Sequence, residues 1–187
     1  MNLSTKVALG SLLSLLISSA QAVDGTIEFN GAIMTDTCTI DTTDGVVNVE
    51  LGSYAANQFQ YPGDKSPTIP FSIPLKNCPT TAWKHIDGTT DASFQIWLQT
   101  AETVGENNDM VKPASMDTAA TGVGIKIETA NGTPLALNKL TTPAVKFPIT
   151  AGSMNLDLAA YYKSLVEASD ITAGEADGVV DITFDYR

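Results

Sequence analysis

The chain has 187 residues and a formal net charge of −11, and 43% of it is hydrophobic. That length is enough for one domain with a real core. Its acidity argues against a nucleic-acid binder, which needs a basic patch to neutralise phosphates, and is most plainly read as solubility.

Residues 1–22 read as a secretory signal. Lys6 supplies the positive start, Val7 to Ile17 is largely apolar, and Ala20-Gln21-Ala22 is a small-x-small cleavage site. The apolar run is shorter than the roughly 20 residues of a bilayer span, and no second run of that length follows. The mature chain is therefore expected to be exported and soluble. Lys6 is the only charge removed with the signal, so the mature charge is −12.

Just after the cleavage site, Val23, Gly25, Ile27, Phe29, Gly31 and Ile33 share one parity, while Asp24, Thr26, Glu28 and Asn30 share the other. Such period-two alternation predicts a strand with one apolar row and one polar row. Asp41 to Gly45 is turn-rich, and Val46 to Leu51 reads as a strand. Gly52 to Pro70 reads as loop. Ile69, Phe71, Ile73 and Leu75 alternate, with Pro70 and Pro74 on the opposite parity, which predicts an edge strand or irregular pairing.

Thr80 to Thr90 reads as a polar loop holding Trp83 and His85. Phe94, Ile96 and Leu98 mark the next strand, and 102–121 reads as loop. Val123, Ile125 and Ile127 mark another strand, followed by the turn dipeptide Asn131-Gly132. Residues 154–167 fit a helix face or a strand face; the all-strand context favours a strand over about 155–164. A loop with Gly174 leads to the last stretch, where Val180, Ile182, Phe184 and Tyr186 face one way and Asp181, Thr183, Asp185 and Arg187 the other. Short strands at turn-separated intervals predict an all-β sandwich in one domain.

Cys38 and Cys78 are the only cysteines. In an exported protein a lone pair is most simply a disulfide. Closing that loop stabilises the fold by about 4 kcal/mol through chain entropy. Free thiols or metal ligands are the rival, but the spacing fits no zinc pattern and His85 is the only histidine.

No catalytic constellation stands out. His85 reads as a solvated loop residue, there is no Gly-x-Ser-x-Gly elbow, and Gly122-x-Gly124 lacks the rest of a phosphate loop. The run Glu106 to Asp109 lacks the acid spacing of a calcium loop. No enzyme, cofactor or metal site is expected.

The chain resembles the pilin subunits of bacterial pili assembled by the chaperone–usher pathway. The resemblance spans the mature chain. It is carried by Asp24-Gly25-Thr26-Ile27-Glu28-Phe29-Asn30-Gly31 after the signal, by Thr37-Cys38 with Leu75-Lys76-Asn77-Cys78, and by the ending, with Gly174 fourteenth from the last residue and Tyr186 penultimate. It implies an incomplete immunoglobulin-like sandwich completed by a donor strand. Residues 1–22 would be the signal, 23–34 the donor extension and 35–187 the pilin domain.

Val23, Gly25, Ile27, Phe29, Gly31 and Ile33 would then fill a neighbour's groove. Val180, Ile182, Phe184 and Tyr186, with Gly174, would form the chaperone and groove strand. The implied partners are other copies or related pilins, a periplasmic chaperone and an outer-membrane usher, with no nucleic acid. The implied place is a cell-surface fimbrium reached through the periplasm. The alternatives are a minor, tip or single-domain adhesive subunit of the same pathway, with Trp83 binding sugar, or an unrelated exported carbohydrate-binding sandwich.

Overall fold

The computed structural model describes residues 27–28, 33–114 and 117–187. Residues 1–30 and 31–187 form separate units, and only Ile27 and Glu28 of the first are described. The second is built from eleven strands: β1 (Thr39–Ile40), β2 (Ile69–Lys76), β3 (Trp83–Lys84), β4 (Thr90–Asp91), β5 (Ser93–Gln99), β6 (Thr103–Val104), β7 (Met110–Val111), β8 (Val123–Thr129), β9 (Phe147–Pro148), β10 (Met154–Ser164) and β11 (Asp181–Asp185). Two short 3₁₀ turns, Ala56–Gln58 and Ala168–Asp170, are the only helical pieces among the described residues.

One sheet runs β1-β2-β10-β8-β7-β6 and the other β11-β5-β9, with β3 and β4 as a small hairpin. The core lies between them. Ile73, Leu75, Ile125, Leu156, Leu158 and Ala160 come from the larger sheet and Phe94, Ile96 and Leu98 from the smaller. These are the alternating residues of the sequence. Inward parity buries one row per strand and leaves the other to solvent.

The ambiguous segment is strand β10. It is flanked by β2 on one side and β8 on the other, so its Leu158 stands opposite both Phe71 and Thr129. Two neighbouring strands that need its backbone groups outweigh its helix-favouring composition. The prolines of β2 follow the same hydrogen-bond logic. The Pro74 carbonyl accepts from the Asp41 N–H on the β1 side. Its nitrogen therefore also points away from β10, where no ladder bond is lost. Because β1 pairs only Leu75 and Lys76, the first part of β2 is an edge, as the prolines imply.

The loop expected over 102–121 contains the β6–β7 hairpin, which pairs with the edge of β8 through Val111 opposite Ile125 and folds over its outer face at Gly124. A Cβ on Gly124 would stand 2.7 Å from Val104 Cγ2 and 2.8 Å from Met110 Cβ, so only glycine lets the hairpin seat. On the same outer face Lys126 and Tyr161 are buried although both sit on the solvent parity. The Lys126 ammonium bonds the Asp109 carboxylate and, at 3.2 Å, the Asp109 carbonyl. The Lys65 ammonium sits 4.9 Å from the Tyr161 ring centre.

Removing one partner of a buried pair costs more than removing the charge outright. Asp109→Ala should therefore lose about 1–3 kcal/mol in urea unfolding, with Lys126→Met near neutral. The partial exposure of Asp109 keeps the loss below that of a fully buried pair. Equal losses from the two variants would show that the ion pair is not what seats the hairpin.

Candidate functional site

β11 pairs on one side only, with β5, placing Ile182 opposite Leu98 and Phe184 opposite Ile96. No strand borders its other side among the described residues. Val180, Ile182 and Phe184 are half-buried and pack on the core, while Asp181 and Thr183 are exposed. Phe184 meets Phe94 edge to face, centroids 5.1 Å apart. The strand thus carries an anchored apolar row and a free row of backbone donors and acceptors, a template for another strand.

The end of that strand is locked. Tyr186 is buried, its hydroxyl oxygen accepts from the Cys38 N–H at 2.7 Å, and its carbonyl accepts from the Trp83 indole N–H at 2.8 Å. Burial pushes the Tyr186 hydroxyl above its ordinary pKa, partly opposed by the Cys38 amide. Arg187 binds the Asp185 carboxylate with Nε and Nη2 and holds it below the usual carboxylate range. Tyr186→Phe would strand a buried N–H, so a loss of about 1–3 kcal/mol is expected, against about 1 kcal/mol for Trp83→Phe. Chemical denaturation checks both. A Tyr186→Phe chain as stable as the parent would show that the bond does not hold the strand end.

The second flank of the site is Val46–Leu51. The sequence predicts a strand there, and the structure corrects this to an extended segment with no strand partner. Leu51 is buried, Val47 and Val49 half-buried, and Val46, Asn48 and Glu50 exposed. Among the described residues, its main-chain groups make no bond to other main-chain groups; Val46 N–H donates to the Asp44 carboxylate at 3.0 Å. The alternation is that of a strand, and what is missing is a neighbour on which to close the ladder.

The two flanks meet at one end and border a common cavity at the other. Cys38 meets Tyr186 at one end. At the other, a cavity of about 410 Å³ is lined by Gly52, Tyr54 and Tyr162 and by Ala173 to Asp177. Residues 38 to 52 and 186 to 174 therefore run in opposite directions between these two ends, and neither has a strand neighbour facing the other among the described residues. The arrangement is an open gap between the two flanks, whose Val47, Val49, Val180, Ile182 and Phe184 pack on the core.

The residues singled out in the sequence fall as follows. Val180, Ile182, Phe184 and Tyr186 line one flank. Gly174 precedes β11 and lines the cavity, where its neighbour Glu175 bonds Thr118 and Ala120 through the main chain. Cys38 and Cys78 are joined in a buried disulfide that ties the approach to β1 to the end of β2. Ile27 and Ile33 are exposed, and Val23, Gly25, Phe29 and Gly31 lie outside the described residues.

His85 is not solvated as expected; it is buried, with Nε2 3.0 Å from the Asp91 carboxylate and Nδ1 without a partner among the described residues. The β3–β4 hairpin packs it against Trp83, ring centroids 5.3 Å apart. Ser93 donates to the same Asp91 carboxylate and holds it below the usual range. With its N–H spent on Tyr186, Trp83 braces the strand end rather than presenting that donor to a sugar. Sequence reasoning did not assign the flank 46–51 or the Tyr54 and Tyr162 wall to the site, though the alternation of Val47, Val49 and Leu51 was a usable signal for the former.

The family profile described as "Fimbrial protein" matches residues 27–187. The chain is 45% identical to the uncharacterized fimbrial-like protein YraH of Escherichia coli K12 over the full length of both. It is 32% identical to a type-1 fimbrial protein subunit of Serratia marcescens, covering 94% of each chain. Among solved structures, the P pilus rod subunit PapA aligns with a TM-score of 0.61 at 18% identity, over 80% of this chain and 99% of that one. A chaperone–usher pilus structure aligns with a TM-score of 0.61 at 20% identity, over 89% and 98%.

Proposed function

The chain belongs to the fimbrial protein family, and on that premise we propose that it is a structural pilus subunit polymerising head to tail, each copy lending residues 23–34 to the open gap of the next. The observation that carries this reading is the pair of flanks, β11 and Val46–Leu51, each with an open edge, which meet at Cys38 and Tyr186 and border one cavity at the other end. An extended segment with one apolar and one polar row suits such a gap. Its main chain would complete two ladders while Ile27 and Phe29 fill the floor. Chaperone–pilin complementation is itself an established instance of adding a strand to an open sheet edge, so the binding mode is a known one.

One donor and one acceptor per subunit form a heterologous contact that does not close on itself, which generates a filament. The subunit's partners are other copies or related pilins, with a periplasmic chaperone and an outer-membrane usher serving it on the way to a cell-surface fimbrium. Its role is structural rather than catalytic. No helix among the described residues is long and apolar enough to cross a membrane.

Deleting residues 23–33 tests the division of labour. The shortened chain should still accumulate as a soluble complex with its chaperone, because the segment completes nothing in its own domain. Electron microscopy of cells carrying only that chain should find the fibre lost. Fibres of normal length and number would overturn the assignment of the donor.

A further inference from the structure

The polar side of the gap carries a charge pattern that bears on which strand it accepts. Residues 33–187 hold a net charge of −10, and residues 23–32 hold −2 through Asp24 and Glu28. Exposed Glu50 stands on one flank of the gap, and exposed Asp177 and Asp181 on the other, with Glu175 at the cavity. Among the described residues none of these four has a cation within ion-pair distance. Lys76, Lys112, Lys126, Lys146 and Arg187 are engaged with Asp41, Glu102, Asp109, Asp87 and Asp185.

Tyr162 lies at the cavity between the two flanks. The Tyr162 hydroxyl, which donates to the Ala176 carbonyl at 3.1 Å, is raised in pKa by burial and then by Asp177, Tyr54 and Glu50. Asp177 lines that cavity from the β11 side and Gly52, two residues after Glu50, lines it from the other. A strand laid in the gap would place its outward row beside both flanks. Cross-strand neighbours stand about 5 Å apart, inside the roughly 8 Å screening length of physiological salt. Like charges at that spacing are destabilising and slow encounter.

We propose that the gap favours an inserted strand whose outward row is uncharged or basic, and that residues 23–33 of a second copy enter it against like charge. This rests on the strand-accepting reading above and adds the chemistry of the partner. Insertion of the chain's own donor is then restrained by electrostatics and released by salt.

The test uses the full-length, disulfide-bonded mature chain as acceptor and three fluorescent synthetic peptides of residues 23–33: the native sequence, D24N/E28Q and D24K/E28K. Association is followed by anisotropy. At about 10 mM salt, where screening extends over roughly 30 Å, the lysine peptide should associate about tenfold or more faster than the native one. The neutral peptide should lie between. At about 1 M salt, with screening near 3 Å, the three rates should converge. The acceptor variant E50Q/D177N/D181N should narrow the low-salt spread.

Equal rates at low salt, or a native peptide that is fastest, would overturn the proposal. So would an undiminished spread on the neutralised acceptor, since the effect would then belong to net charge and not to the rim. If no peptide associates at any salt, the strand-accepting reading itself fails and this inference falls with it.

Discussion

Tethering a copy of residues 23–33 behind Arg187 by a short flexible linker is expected to raise the unfolding temperature by roughly 6–12 °C, about 3 kcal/mol for a chain of this size. The geometry favours it. The strand end is locked at Tyr186, so a segment that turns back there runs antiparallel along the free edge of β11 toward the cavity. Ile27 and Phe29 contribute about 1.5–3 kcal/mol each when buried. New ladder bonds on both sides add about 1 kcal/mol apiece, against about 1–2 kcal/mol per residue for ordering the tail. The tether makes the encounter intramolecular, at an effective concentration in the millimolar range. Calorimetry of the fusion beside the untethered chain reads the result. A fusion that melts with its parent and still aggregates would show that the segment does not complete this fold.

The second large effect concerns one methyl group. A Cβ on Gly174 would lie 2.2 Å from the Thr118 carbonyl oxygen and 2.7 Å from Ala119 C and Ala120 N. All three are main-chain atoms, held by bonds from Glu175 N–H to Thr118 and from Ala120 N–H to Glu175. No side chain can swing aside. Overpacking against fixed structure costs about 1–3 kcal/mol and more where backbone must shift, so Gly174→Ala should lose about 3 kcal/mol. Gly152→Ala is the control, because its Cβ would meet only the Cys78 carbonyl at 3.9 Å. Comparable urea midpoints for the two variants would refute the close approach.

Alternation made much of the sandwich legible. Phe94, Ile96 and Leu98, or Val123, Ile125 and Ile127, need only a period of two to declare a buried face. The apolar row from Val180 to Tyr186 was legible for the same reason, helped by family resemblance. What stayed hidden depends on contacts made by distant residues. Lys126 and Tyr161 sit on the outward parity and are buried, Lys126 against Asp109 of the 103–111 hairpin and Tyr161 under Lys65. His85 sits in a polar run and is buried because its hairpin closes on Trp83 and, through Trp83, on Tyr186. Val46–Leu51 shows the converse. Its strand pattern was readable, but a pattern cannot reveal that no neighbour among the described residues pairs with it.

The bond between the Cys38 N–H and the Tyr186 hydroxyl joins residues 148 positions apart. A chain that emerges into the periplasm from its amino-terminal side holds Cys38 early and Tyr186 very late. Contacts of such high sequence separation are slow to form, because a long loop must close before any energy is returned. Through most of its emergence the chain therefore has one rim of the acceptor without the other. On the reading proposed above, competence to receive a neighbour would arrive only with residue 186. A subunit cut short anywhere before that point would lack this contact, and on the same reading it is expected not to be extended.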